Sequence, residues 1–212
     1  MPIKLILFDF DLTLVDSRET VYQSYQELQS AHNIRVDCLD FNEIWGIKYD
    51  KINYKIAEGN NFSHTPEEIM RLGTAILKKN YAKHELCALK DLERLQEKYE
   101  LGIVSSNTVE IIESVLKNGN NNRLRFKHIF GIESQLPGET KKDVIIRIAK
   151  KLGYGFNEIF YVGDHPNDVI AGKTAGVRTI AITTGIHNKE ELNFHNPDHI
   201  INDLSELSLV FA

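Results

Sequence analysis

Apolar residues fall along this chain in short runs that end abruptly in charged or small polar residues. Ile3 to Phe8 stops at Asp9, Leu101 to Ser105 at Ser106-Asn107, and Ile159 to Val162 at Gly163-Asp164. Arg178 to Ile182 is a fourth such run, and His128 to Ile132 a weaker fifth. Continuous apolar stretches of this length, bounded by turn residues, predict strands buried on both faces of a parallel sheet. Helical periodicity lies between them, over Thr108 to Lys117, Lys142 to Leu152 and Asp168 to Ala175. Strand alternating with helix predicts an α/β fold with a doubly wound, Rossmann-like sheet.

One stretch departs from the alternation. Asp16 to Leu86 reads as helix after helix. Asp16 and Glu19 form a helix-capping pair on paper, and Val21, Tyr22, Tyr25 and Leu28 follow on one apolar face. Thr65-Pro66-Glu67-Glu68 marks a second helix start, with proline in the first turn and acids at the positive end of the dipole. Asn118 to Asn122 reads as a polar loop. The division expected is a core of residues 1–15 and 87–212, with a helical module, 16–86, inserted after the first strand.

Composition narrows the function classes. The 212 residues carry a formal charge of -5, which opposes a general polyanion binder and so a nucleic-acid partner. A small anion is still accommodated, because a few cations inside a cleft outweigh the mean surface. Cys38 and Cys87 have no spacing that would make a disulfide framework or a zinc site. The apolar N-terminus is interrupted by Asp9 and Asp11 too early for a leader sequence, and no run reaches membrane-spanning length. A cytoplasmic protein without a membrane partner is expected; oligomeric state is not legible.

Four clusters could carry chemistry. Asp9-Phe10-Asp11-Leu12-Thr13 puts two carboxylates just past the first strand, where ligands sit in open α/β sheets. They repel unless a proton or cation intervenes, and oxygen donors favour magnesium over zinc. A pair of solvated turn aspartates is the plain alternative. Gly163-Asp164-His165-Pro166-Asn167-Asp168 brings two more acids to the same sheet end, more than a turn requires. Ser105-Ser106-Asn107 could bind phosphate at a helix start or simply cap that helix. Lys141 or Lys142, before the next helix, could grip a phosphoryl group or be ordinary surface lysines.

The order of these motifs is what identifies a family. Asp-x-Asp-x-Thr after strand one, Ser-Asn after strand two, lysine before a helix, then Gly-Asp-x-x-x-Asp after a later strand resembles the haloacid dehalogenase superfamily of phosphatases. The similarity runs from Ile3 to about Gly185, and the insert with Val15-Asp16-Ser17 at its entrance is similar to the phosphoglycolate phosphatase and β-phosphoglucomutase branch. The resemblance implies Asp9 as nucleophile, Asp11 as general acid and base, and phosphate binding by Ser106, Asn107 and Lys141. It implies magnesium held by Asp9, the Asp11 carbonyl and Asp164, with Asp168 in support. Thr13 would shape the loop.

Two positions depart from the pattern. Leu12 stands where glycine is usual. In the third motif, counting back from Leu152-Gly153 in the longer family pattern lands on Glu139, while a shorter variant points to Lys141, with Lys142 as the other candidate.

The activity implied is hydrolysis of a small phosphorylated metabolite through an aspartyl-phosphate. A phosphomutase would keep the same core residues. A carbon-attacking dehalogenase has no need of Asp11. A phosphonatase needs an insert lysine, for which Lys48, Lys51 and Lys55 are available, and a binding protein of the same fold has no need of both Asp9 and Asp11. Trp45 and Gly46 read as core or as a substrate-facing loop. His165 reads as loop.

Overall fold

The computed structural model describes residues 2–41, 44–45, 47 and 49–211. β1 (Leu5–Phe8), β2 (Glu100–Val104), β3 (Phe126–Phe130), β4 (Ile159–Gly163), β5 (Arg178–Ile182) and β6 (His199–Ile201) form one parallel sheet in the order β3-β2-β1-β4-β5-β6. The middle strands are buried throughout because both faces are covered. Ile6 and Phe8 join one apolar cluster with Ile103, Phe160 and Val162, while Leu5 and Leu7 face the other way into Val144, Ile145 and Tyr161. Two-residue alternation thus feeds two cores, as a doubly wound sheet requires. At the edge, β3 carries Lys127 and His128, whose charge and polarity discourage pairing with another chain.

The helices that flank the sheet are α4 (Leu89–Gln96), α5 (Val109–Leu116), α6 (Lys141–Leu152) and α7 (Pro166–Ala175), with short α8 (Lys189–Asn193) and α9 (Leu207–Val210) near the end. Between β1 and α4 lie α1 (Arg18–His32), α2 (Tyr49–Gly59) and α3 (Pro66–Tyr81). Thr65 caps α3 by accepting from the Glu68 N–H, with Pro66 in the first turn, as the sequence predicts.

Several local expectations are corrected. Asp16 does not cap α1: its carboxylate takes the Arg18 guanidinium at 2.8 Å, and Ser17 occupies the cap position with its hydroxyl turned to Asp11. Tyr22 is 45% exposed and packs on the Phe41 ring instead of joining the buried face of Val21, Tyr25 and Leu28. β3 begins two residues before His128 and stops before Gly131, because Phe126 is a buried anchor and Ile132 already belongs to a 3-10 turn. Asn118 to Asn122 is not a plain loop. A 3-10 turn over Gly119–Arg123 buries Asn121, whose amide accepts from the Leu86 N–H and donates to the His84 and Val115 carbonyls. β6, in the tail after His195, was not anticipated, since three residues carry too little pattern.

Asn121 therefore fastens the chain where it returns from the helical segment. The outgoing connection lies beside it: the Cys87 N–H bonds to the Leu14 carbonyl at 2.8 Å, and Thr20 bonds to His84. Among the described residues, no helix is long and apolar enough to cross a membrane.

Candidate active site

The chain order in the sheet reverses between β1 and β4, and parallel sheets open a crevice beyond the carboxyl ends of such neighbours. Asp9 is the first residue past β1, its N–H continuing the ladder to the Val162 carbonyl at 2.8 Å; Asp164 is the first past β4. Register alone thus brings two carboxylates together. Asp168 joins them from the first turn of α7, where its carboxylate accepts from the His165 N–H at 3.2 Å. Oxygens of Asp9, Asp164 and Asp168 lie within 4.8 Å of one another.

Lys141 is the cation that answers this charge. Its Nζ is 2.9 Å from Asp9 and 2.7 Å from Asp168, which also accepts from the Tyr161 hydroxyl at 3.1 Å. Lysine as the first residue of a helix opposes the helix dipole, a local misfit of the kind that marks functional positions. Lys142 instead pairs with Asp143 at 3.2 Å, and Glu139 pairs with Arg147 at 3.0 Å. Of the candidates for the third motif, Lys141 is the one brought to the carboxylates.

Backbone spacing makes room for these acids. A Cβ at Gly163 would lie 2.5 Å from the Asp168 Cβ, and one at Gly185 would lie 2.1 Å from an Asp164 carboxylate oxygen. The Thr13 hydroxyl donates to Asp164 at 2.8 Å. Leu12 adopts φ 59, the left-handed conformation that favours glycine, and its carbonyl accepts from Thr184 at 2.5 Å. Here leucine takes the glycine-type conformation at a cost of about 1 kcal/mol.

Electrostatically the cluster is under stress. Burial, with Asp168 and Asp11 adding repulsion against the attraction of Lys141, pushes Asp9 up to about 7. Burial and the neighbouring Asp168 and Asp9 raise Asp164 well above the usual carboxylate range. Burial would lower the Lys141 ammonium, but Asp168 and Asp9 outweigh it and hold it well above its ordinary value. Ionising all three buried acids against one ammonium would leave negative charge uncompensated, and an all-oxygen donor set of this kind suits a hard divalent cation.

Asp11 stands apart from this triad. Its Oδ1 accepts from the Ser17 hydroxyl at 2.8 Å and the Tyr81 hydroxyl at 2.5 Å, and its Oδ2 from the Asn107 amide at 3.1 Å. Two of these donors come from the helical segment. Tyr81 is fully buried, stacks on Phe10, and has its hydroxyl raised well above its ordinary value by burial and then by Asp11. Sequence reading assigned no role to Ser17, Tyr81, Tyr161 or Gly185. Ser17 lies in a motif already noticed, whereas Tyr81 is 70 residues from Asp11 and carries no local signal.

Asp9, Asp11, Ser106, Lys141 and Asp164 share the wall of one cavity of about 480 Å³. Trp45 and His165 also line it, so both lie closer to the chemistry than a core or loop reading implies. Lys51 and Lys55 are exposed on α2 and are not among the lining residues; Gly46 and Lys48 lie outside the described residues.

Residues 6–182 match the haloacid dehalogenase-like hydrolase family. The chain belongs to that family. A phosphoglycolate phosphatase of Pseudomonas savastanoi pv. phaseolicola is 24% identical over 213 residues, covering 96% of this chain and 78% of that protein. The pyrophosphatase PpaX of Oceanobacillus iheyensis is 24% identical over 220 residues, covering 98% and 96%. A haloacid dehalogenase-like hydrolase from Bacteroides fragilis has the same fold, with a TM-score of 0.80 at 21% identity over 97% of this chain and 99% of the other. As a hydrolase of this family, the chain has three motifs just past β1, β2 and β4 and its lysine at the start of α6, all at one cavity.

Proposed function

We propose that this hydrolase is a cytoplasmic, magnesium-dependent phosphoric monoester hydrolase that acts on small phosphorylated metabolites, with Asp9 as a covalent nucleophile. The observation that carries the reading is the division of labour among the acids. Asp9 sits against Lys141 in a charge-crowded triad, while Asp11 is held separately by neutral donors at the same cavity. A mechanism with one acid to attack and another to move protons needs that separation.

Asp9 attacks phosphorus in line with the leaving oxygen, forming an aspartyl-phosphate. Asp11 gives its proton to the departing oxygen and later takes one from the water that hydrolyses the intermediate. Ser106 and the Asn107 region bind the phosphoryl oxygens. Lys141, tied to Asp168, neutralises charge on the phosphoryl group and fixes the Asp9 carboxylate. Asp9 and Asp164, with the Asp11 carbonyl, would hold magnesium, and Asp168 would support them. Bound magnesium supplies positive charge that offsets repulsion between the nucleophile and the phosphoryl oxygens.

Residues 16–86 serve in this reading as a cap over the site, hinged where the Leu14 and Cys87 connections run side by side, and closure excludes bulk water. The names of the relatives support hydrolysis over mutase chemistry. The test is phosphate release from p-nitrophenyl phosphate with and without magnesium, in the native protein and in Asp9→Asn. Magnesium-dependent release that disappears in the variant, with the circular dichroism spectrum unchanged, is expected. Substantial turnover by Asp9→Asn would rule out covalent attack.

A further inference from the structure

The cavity has two chemically opposed ends. At the sheet, every acid and Lys141 crowd one side; the helical segment contributes Val21, Tyr25, Ile44, Trp45, Ile47 and Ile52 to the other. Among the described residues, Lys141 and Lys142 are the lysines that line the cavity, and no arginine does. Lys141 is held between Asp9 and Asp168, while Lys142 is part-exposed and pairs with the adjacent Asp143 at 3.2 Å. A second anionic group on the substrate would be desolvated where it packed against these aromatic and branched side chains.

Size points the same way. A cavity of about 480 Å³ corresponds to roughly 16 water-sized groups at about 30 Å³ each. A phosphoryl group takes only the charged end, and a glycolate or a second phosphate would leave most of the apolar end unfilled. A void against such a wall forfeits dispersion contacts that an apolar body would make.

We infer that the alcohol released from the substrate carries an uncharged aromatic or branched aliphatic body that packs against the apolar wall around Trp45. The inference rests on the phosphatase reading above and adds the chemistry of the leaving group. It separates this chain from the substrates after which its relatives are named.

The experiment compares kcat/KM, with magnesium, for benzyl phosphate, methyl phosphate, phosphoglycolate and pyrophosphate. Benzyl and methyl phosphate have unactivated alcohol leaving groups, so the comparison reads the pocket more than bond reactivity. Benzyl phosphate is expected to exceed each of the others by about tenfold or more, the scale set by a few buried methylenes. In Trp45→Ala the benzyl-to-methyl ratio is expected to fall about tenfold, and Trp45→Phe to restore most of it. A preference for phosphoglycolate or pyrophosphate, or a Trp45→Ala variant that lowers both esters equally, would overturn the inference while leaving the phosphatase reading standing. No phosphate release from any compound would overturn both.

Discussion

The floor and the roof of the cavity are built on opposite principles. The floor is a set of charges at the ends of neighbouring strands, each locked by named partners: Asp9 by Lys141, Asp164 by Thr13, Asp168 by Lys141, Tyr161 and the His165 N–H. The roof is a set of mostly buried apolar side chains, Val21, Tyr25 and Ile52 from helices and Ile44, Trp45 and Ile47 from the chain between α1 and α2. Placing charge needs a rigid sheet and close backbone approach, as at Gly163 and Gly185. Selecting a leaving group needs only shape and apolar surface, which helices can vary without disturbing the floor. Asp11 is the exception that joins the two, because donors from both regions hold it.

The largest expected effect tests the floor. Asp9→Asn should lower kcat by about 10⁴-fold or more, the scale seen when a covalent nucleophile is removed. The same change removes one of three crowded carboxylates, so the melting temperature in the absence of metal should hold or rise. A variant that is inactive but unfolded would break the contrast between a site under stress and a stable scaffold. Chelating magnesium should come next, lowering turnover by about 10³-fold and restoring it on re-addition. Full activity in excess chelator would remove the metal from the floor's account.

A smaller effect tests the joint between the regions. Tyr81→Phe deletes a donor to Asp11 while keeping the ring stacked on Phe10, and kcat should fall about tenfold with KM little changed. A change confined to KM would make Tyr81 part of the roof and not a holder of the proton-transfer acid. Smallest is Asp143→Asn, at the start of the helix that carries Lys141. Hydrogen bonds from the Thr140 hydroxyl and N–H hold Asp143 down at about 2, against an ordinary 3.8. Its contribution is therefore present above the ordinary value and is lost as pH falls through the folded one. The variant should melt slightly below the native protein near neutrality, and the two curves should converge between about pH 4 and pH 2. A gap that persisted in acid would mean that the charge on Asp143 is not what steadies the helix.

Much of the floor was legible because it is local. Each motif follows an apolar run, and a strand that ends in acid announces both its own boundary and the chemistry beyond it. The choice between Lys141 and Lys142 was not legible, since adjacent residues in a first helical turn differ only in the direction they point. Tyr81 was hidden for a different reason: a tyrosine in an amphipathic helix reads as core, and here it is core that also carries a donor. Asn121 was concealed by its neighbours, as a run of polar residues around a glycine describes a loop whether or not one amide turns inward.

From the residues alone came the doubly wound sheet, the helical insertion and the four clusters, because burial periodicity and turn chemistry act over a few residues at a time. Tertiary structure decided which acids come together, which lysine meets them, and that apolar side chains line the far side of the cavity. Those relations join strands and helices far apart in the chain, and only packing in three dimensions fixes how far apart such groups come to rest.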